Sequence, residues 1–249
     1  MAAPRMVLDP PQPTLPRAAG PAISPGLDGF VAPWRHPWTP ERIIERLEPL
    51  VLDRRRERFL GVIENRLGSV TLFLDELSDP HNRAAVVRSC DAFGVQELHA
   101  LQEAEEFSVH HAVAAGSERW VDVRHHRQPA PVLAELEARG FELIQTHPRG
   151  ELTPDELAAV PRLALILGNE HRGIAPVLAR AARRRVRIPM RGFVESLNVS
   201  VSAAILLAAA TRGRAGDLPP EVKRHLYARA LFYSVPRAAE VLDAFAISE

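Results

Sequence analysis

From residue 69 onward the chain alternates short β-branched, apolar runs with helix-length segments, and this constrains its fold more than any other feature. SVTLFLDEL (69–77) has strand length and ends in SDPHN; RAAVVRSCDAFG (83–94) has helical spacing and closes on Gly94. QELHAL (96–101), WVDVRH (120–125), FELIQTH (141–147), RLALILG (162–168) and VRIPM (186–190) read as further strands. Between them EFSVHHAVAAG (106–116), PAPVLAELEARG (129–140) and IAPVLARAARR (174–184) read as helices, and a long helix begins near residue 198. Buried strands in regular alternation with helices predict an α/β fold with a mostly parallel sheet covered on both faces. In such sheets ligands bind beyond the carboxyl ends of the strands. SDPHN, GNEHRG and RGFVESLN all fall there.

The flanks differ in texture. Residues 1–38 are rich in Pro, Ala and Gly, with little apolar periodicity, and read as a disordered extension. Thr39-Pro40-Glu41 predicts a helix start, with Thr39 as N-cap and Pro40 in the first turn. Two short helices are expected over 39–67, the second carrying Arg54, Arg55, Arg56 and Arg58. A core domain then spans 68–215. Residues 216–249 predict one or two C-terminal helices whose Leu226, Ala230, Leu231, Val235, Ala238 and Val241 form an apolar face.

Charge excludes little, since Lys+Arg and Asp+Glu both total 31. Its distribution says more. Arginine clusters at 54–58 and 183–187 and recurs at Arg212 and Arg214. Guanidinium forks match phosphate oxygens, although solvated helix faces look the same in sequence. A single cysteine, Cys90, excludes an intrachain disulfide framework and a cysteine-based zinc site, and it fits a reducing cytoplasm. No apolar stretch approaches the roughly 20 residues of a membrane span. The N-terminus lacks the pattern of a secretory signal.

Three loops carry the candidate chemistry. In the first, Asn82 stands at a helix entry, where an amide can cap backbone N–H groups. Arg88 lies six residues on, off that face, so its side chain must reach back toward the helix start to meet Asn82. In the second, a strand ends at Gly168, Glu170 follows in the turn, and Gly173 lets the chain fold back. It has no Gly-Lys-Ser/Thr end, and no strand leads into G-x-G-x-x-G, which argues against a P-loop nucleotidase and a dinucleotide-binding domain. In the third, Ser196 or Asn198 can cap the long helix, a role that accounts for one of them but not for Glu195, Ser196 and Asn198 together. Helix N-termini with polar side chains suit negative or partly negative ligand atoms. The adjacent pairs His110/His111 and His125/His126 diverge on any regular element and read as surface or structural, and no metal ligand set is present.

Together NRAAVVRSCDAFG, LGNEHRG and IPMRGFVESLNVSVSAA resemble the three signature motifs of the SPOUT superfamily of RNA methyltransferases, and within it the TrmH group of ribose 2′-O-methyltransferases. The resemblance extends through AAGSERW (114–120) and LIQTHP (143–148), covering about residues 40–245. SERW, the helix pair before the sheet and the LPPE…LFYSVP tail are most similar to members that methylate guanosine 18 in the tRNA D-loop. It implies a deep trefoil knot near the C-terminal edge of the sheet. S-adenosylmethionine would be held there without a metal, mostly by backbone groups at Thr146, Leu167, Gly168, Ile188 and Leu197. Asn82, Arg88, Glu170, Ser196 and Asn198 would face the substrate, in a homodimer with its sites at the subunit interface. Arg88 would act as general base toward the 2′-hydroxyl, or as a cation that holds the neighbouring phosphate and stabilises the developing alkoxide. tRNA contact is expected from Arg54, Arg55, Arg58, Arg212 and Arg214. The rivals are an rRNA ribose methyltransferase and a non-catalytic RNA-binding factor of the same fold. The 38-residue N-terminal segment is too short for the extra RNA-binding domain that many of the rRNA enzymes carry, and the intact five-residue set speaks against the non-catalytic factor.

Overall fold

The computed structural model describes residues 32–35, 38–101, 116–169 and 171–247. The helix expected over 106–116, with His110 and His111, lies outside these residues except for its last residue, Gly116, and Glu170 lies outside them too. Six strands form one parallel sheet: β1 (Leu67–Asp75), β2 (Val95–Leu101), β3 (Asp122–His126), β4 (Glu142–Thr146), β5 (Leu163–Leu167) and β6 (Arg184–Val186). Their spatial order is β3-β2-β1-β5-β4-β6, and every described pairing is parallel. All nine residues of β1 are buried, as befits a central strand covered on both faces, whereas the edge strand β3 has none fully buried.

Among the described residues the helices are α1 (Pro40–Leu47), α2 (Asp53–Glu64), α3 (Pro80–Ala92), α4 (Pro129–Ala138), α5 (Pro176–Ala181), α6 (Val199–Ala210), α7 (Pro220–Ser234) and α8 (Ala238–Ile247). Thr39 caps α1, its hydroxyl oxygen accepting from the Arg42 N–H at 3.4 Å, and Pro40 opens the helix. Two elements differ from the expectation. The strand expected over 186–190 instead runs over Arg184–Val186, sharing only Val186 with it, because the Arg187 N–H turns to the Leu152 carbonyl (2.9 Å) and Pro189 has no N–H to donate. The helix expected through Arg184 stops at Ala181, because the Arg183 N–H pairs with the Leu143 carbonyl and leads into β6.

α6 decides where the site falls. It follows the edge strand β6, yet Ala203, Leu206, Leu207 and Ala210 bury in the same core as Leu72 and Leu74 of central β1, and the helix packs on α3. The mouth of α6 is thereby carried to the start of α3. A second core joins segments remote in sequence: Ile43 and Leu47 of α1, Ile63 of α2, Leu226 and Leu231 of α7, and Leu242 of α8. The arginine-bearing helix and the C-terminal tail are thus one packed layer. No described helix is long and apolar enough to cross a membrane.

Across the β2–β3 edge runs a buried ionic network. Glu97 accepts from Arg124 (2.8 Å) and Arg139 (2.5 Å), and both arginines also reach Glu135. Beside it the fully buried His99 meets His126 through Nδ1···Nε2 at 2.9 Å, while His125 points outward. Burial drives the His99 imidazole down to about 4. Burial alone would raise the Glu97 carboxyl, but the Arg139 hydrogen bond and the surrounding cations override it and hold it at about 2. Both folded-state values lie below the unfolded ones, so both groups stabilise above their unfolded pKa and lose that contribution as pH falls. The His99 contribution declines between about pH 6.5 and 4 and amounts to on the order of 3 kcal/mol. Thermal melts should therefore fall steeply over that window, and His99→Phe should flatten the slope there; an unchanged slope would exclude His99 as its source.

Candidate active site

Beyond the carboxyl ends of β4, β5 and β6 opens a crevice of ≈ 810 Å³. Thr146, Leu167, Gly168, Ile188 and Leu197, the five residues expected at a cofactor, all line it, and so do Ser196 and Asn198. Its walls alternate apolar side chains (Ile174, Ile188, Leu206) with the backbone of strand ends. An adenosyl group, with its flat apolar ring and polar edges, fits such a wall in size and chemistry.

Asn198 is the cap of α6: its Oδ1 accepts from the Ser200 N–H at 2.8 Å and the Ser200 hydroxyl at 2.6 Å. Its Nδ2 donates to Oδ1 of Asn82 at 2.9 Å, joining residues 116 positions apart. One side chain therefore both caps the helix and ties the third loop to the first. Asn82 itself is buried in the first turn of α3, where Asp79 rather than Asn82 provides the cap. Ser196 is exposed in the loop before α6. Arg88 is exposed on α3 and does not line the crevice within one chain.

Glycine is required at two points of the second loop. A Cβ on Gly168 would lie 2.6 Å from the carbonyl carbon of Gly173 and 2.7 Å from Ile174 Cγ1. Gly173 itself has φ +71°, in the left-handed region. The turn is closed by reciprocal backbone bonds between Asn169 and Gly173, at 2.9 and 3.0 Å.

Two residues with no assigned role in the sequence organise this region. Buried Asn169 donates to the Glu76 carbonyl (2.6 Å) and the Ser78 hydroxyl (2.9 Å), while its Oδ1 accepts from the His171 and Arg172 N–H groups. Asp75, at the end of β1, accepts from the Ala175 N–H at 2.6 Å, and burial raises its carboxyl above the usual range. An ion pair between Arg172 and Glu76 adds a third link. The loops after β1 and β5 are therefore tied to each other at three points. The available signal was positional: an Asp closing a strand, and an amide between a strand end and a glycine turn.

The expected RNA contacts divide. Arg54, Arg55 and Arg58 are exposed on α2. Arg212 is exposed and paired with Asp155 at 3.2 Å. Arg214 is half-buried, and its guanidinium donates to the carbonyls of Ala210 (2.7 Å), Pro161 (2.9 Å), Leu157 (3.3 Å) and Val160, which ties the end of α6 to the segment before β5. Cys90 is buried, and burial pushes its thiol up to about 12, which leaves it unreactive.

Comparison with known proteins gives the class of this sheet and crevice, a methyltransferase. The SpoU rRNA methylase family matches residues 69–208, so the chain belongs to that family. It is 34% identical to the tRNA (guanosine(18)-2′-O)-methyltransferase of Aquifex aeolicus (strain VF5), over 68% of this chain and 81% of the relative. Against the protein of the same name from Escherichia coli (strain K12) it is 32% identical, over 64% of this chain and 70% of the relative. Among solved structures it resembles the A. aeolicus TrmH/SpoU tRNA modifying enzyme, with a TM-score of 0.66 and 30% identity, over 74% of this chain and 98% of the other. It also resembles the SpoU methyltransferase AviRb from Streptomyces viridochromogenes in complex with the cofactor AdoMet, with a TM-score of 0.53 and 25% identity, over 62% and 60% of the two chains.

Proposed function

We propose that this chain methylates a ribose 2′-hydroxyl of tRNA, at guanosine 18 of the D-loop, with S-adenosylmethionine held in the crevice beyond β4–β6. The observation that carries this is the Asn198–Asn82 hydrogen bond at the mouth of that crevice. It supports the reading by tying the first loop to the third, whose Ser196, Leu197 and Asn198 line the crevice. The relatives named for guanosine 18 of tRNA supply the nucleotide.

When bound, the cofactor supplies a methyl group already activated by its sulfonium. The chain's remaining work is alignment of two ligands and help with one proton. Thr146, Leu167, Gly168, Ile188 and Leu197 hold the cofactor, largely through backbone. Asn82 and Asn198 fix the entry of α3 against that of α6. Glu170 and Ser196 keep the loops and the substrate in register. Arg88 meets the substrate from the outer side of α3, as base or as the cation beside the developing alkoxide.

Around the third loop Phe193 is fully exposed, and Val194, Val201 and Ile205 continue an apolar surface onto α6. Exposed apolar area of this kind marks an association surface. A second copy of the chain seated there would complete the site, and the trefoil threading of α6 belongs to the same reading. The test is incubation of the purified protein with radiolabelled S-adenosylmethionine and unmodified tRNA, followed by mapping of the labelled ribose. Label at the 2′-oxygen of nucleotide 18 is expected; label at another nucleotide or on a base contradicts the assignment.

A further inference from the structure

The crevice beyond β4–β6 carries little charge. Among its described lining residues Arg187 and Glu195 are the charged side chains, and His147 is the further ionisable one. Glu195 belongs to the third loop. His147 and Arg187 belong to two segments that touch, the turn after β4 and the end of β6. The His147 N–H donates to the Val186 carbonyl at 2.9 Å, and a Cβ on Gly150 would lie 2.7 Å from the Arg187 nitrogen. Glycine at 150 is what lets the turn lie against this backbone.

The turn also fixes the His147 ring. Nδ1 accepts from the Arg149 N–H at 3.0 Å, so the ring proton stands on Nε2. The Gly150 N–H closes the turn on the His147 carbonyl at 3.0 Å. Nε2 itself has no hydrogen-bond partner among the described residues. Arg187 is exposed and forms no ion pair among the described residues. Its neighbours Arg184 and Arg185 do, with Glu142 and Glu151. Within one arginine run, two guanidiniums answer carboxylates of the fold, while the one at the crevice has none.

An N–H and a guanidinium on adjoining segments form a wall of donors without an acceptor, the lining that a carboxylate asks for. The cofactor brings one carboxylate, on its amino-acid end. Its sulfonium and ammonium are cations that Arg187 repels, and its adenosine is uncharged. An RNA phosphate is the other anion at hand. Phosphate affinity draws on positive charge, to which an imidazole with a single ring proton adds nothing. His147 is also half-buried in the crevice wall rather than exposed on the surface.

We infer that His147 and Arg187 bind the α-carboxylate of the cofactor's amino-acid end, a contact that selects the intact methyl donor over its decarboxylated relative. This rests on the proposed S-adenosylmethionine site and deepens it. The contact also sets which way the cofactor lies, with its amino-acid end toward the turn after β4.

The test is calorimetric titration of the full chain and of its Arg187→Gln and His147→Phe variants. The probes are S-adenosylmethionine and decarboxylated S-adenosylmethionine, which lacks that one group. Wild type should bind the first at least tenfold more tightly than the second. Arg187→Gln should weaken the first at least tenfold and His147→Phe at least threefold, each leaving the second within twofold of wild type. Wild-type affinities within twofold of each other would overturn the inference. So would variants that weaken both compounds equally, which would mark a structural role for the turn. An unchanged preference in Arg187→Gln with a raised KM for tRNA would give the arginine to RNA and overturn it as well. If wild type prefers the carboxylated compound through these residues but methylates no RNA, the contact stands and the tRNA reading falls. Binding of neither compound overturns both.

Discussion

Replacing Arg88 with alanine should lower turnover on tRNA by about 10²–10³-fold, the scale of losing one charge-stabilising group at a reacting oxygen, while cofactor affinity stays within twofold. Arg88 is the exposed cation on the same helix as Asn82, and Asn82 is fixed to the mouth of the crevice through Asn198. Six helical residues separate Asn82 and Arg88, roughly 9 Å along the axis, a gap that an arginine leaning toward the helix start largely closes. Arg88→Lys should also be severely impaired, because lysine keeps the charge but loses the planar fork. Single-turnover rates with labelled cofactor, and calorimetric titration of the cofactor alone, separate the two effects. A lysine variant that methylates at the wild-type rate would remove Arg88 from the chemistry.

Gly168→Val should abolish cofactor binding, weakening it by at least a hundredfold, and turnover with it. Even the first carbon of the new side chain would sit 2.6 Å from the Gly173 carbonyl carbon. That backbone has little freedom to yield. Asn169 and Gly173 exchange two backbone bonds, and the Asn169 amide is pinned to Glu76 and Ser78. The loop must open, and the crevice wall with it. Calorimetry measures the loss, and circular dichroism should show the sheet retained. Near-normal affinity would mean that this turn does not shape the cofactor wall.

The alternation of strands and helices was legible because each buried strand carries its own signal: β-branched, apolar and bounded by turns. Strand order was not. Nothing local in LALIL says that β5 pairs with β1 or that β4 pairs with β6. The capping role of Asn198 could be read from its place before an apolar helix. Its bond to Asn82 could not, because it depends on α6 returning from an edge strand to the centre of the sheet. Asn169 and Asp75 offered only their positions at strand ends, since the partner of each lies on a loop about 90 to 100 residues away. Arg214 shows the converse limit. In sequence it resembles any loop arginine, and only the nearby carbonyls reveal that its hydrogen bonds are internal. The His99–Glu97 network likewise needs β2 and β3 side by side before its residues have partners.

The site of cofactor binding is the point on which all of these expectations converge, and amide hydrogen exchange with and without S-adenosylmethionine measures it directly. Protection should rise in the three segments that wall the crevice, around 146–150, 167–174 and 186–198, and stay unchanged at the other end of the sheet, near Gln96 and Trp120. Protection confined to that end, or no protection anywhere at saturating cofactor, would contradict the account.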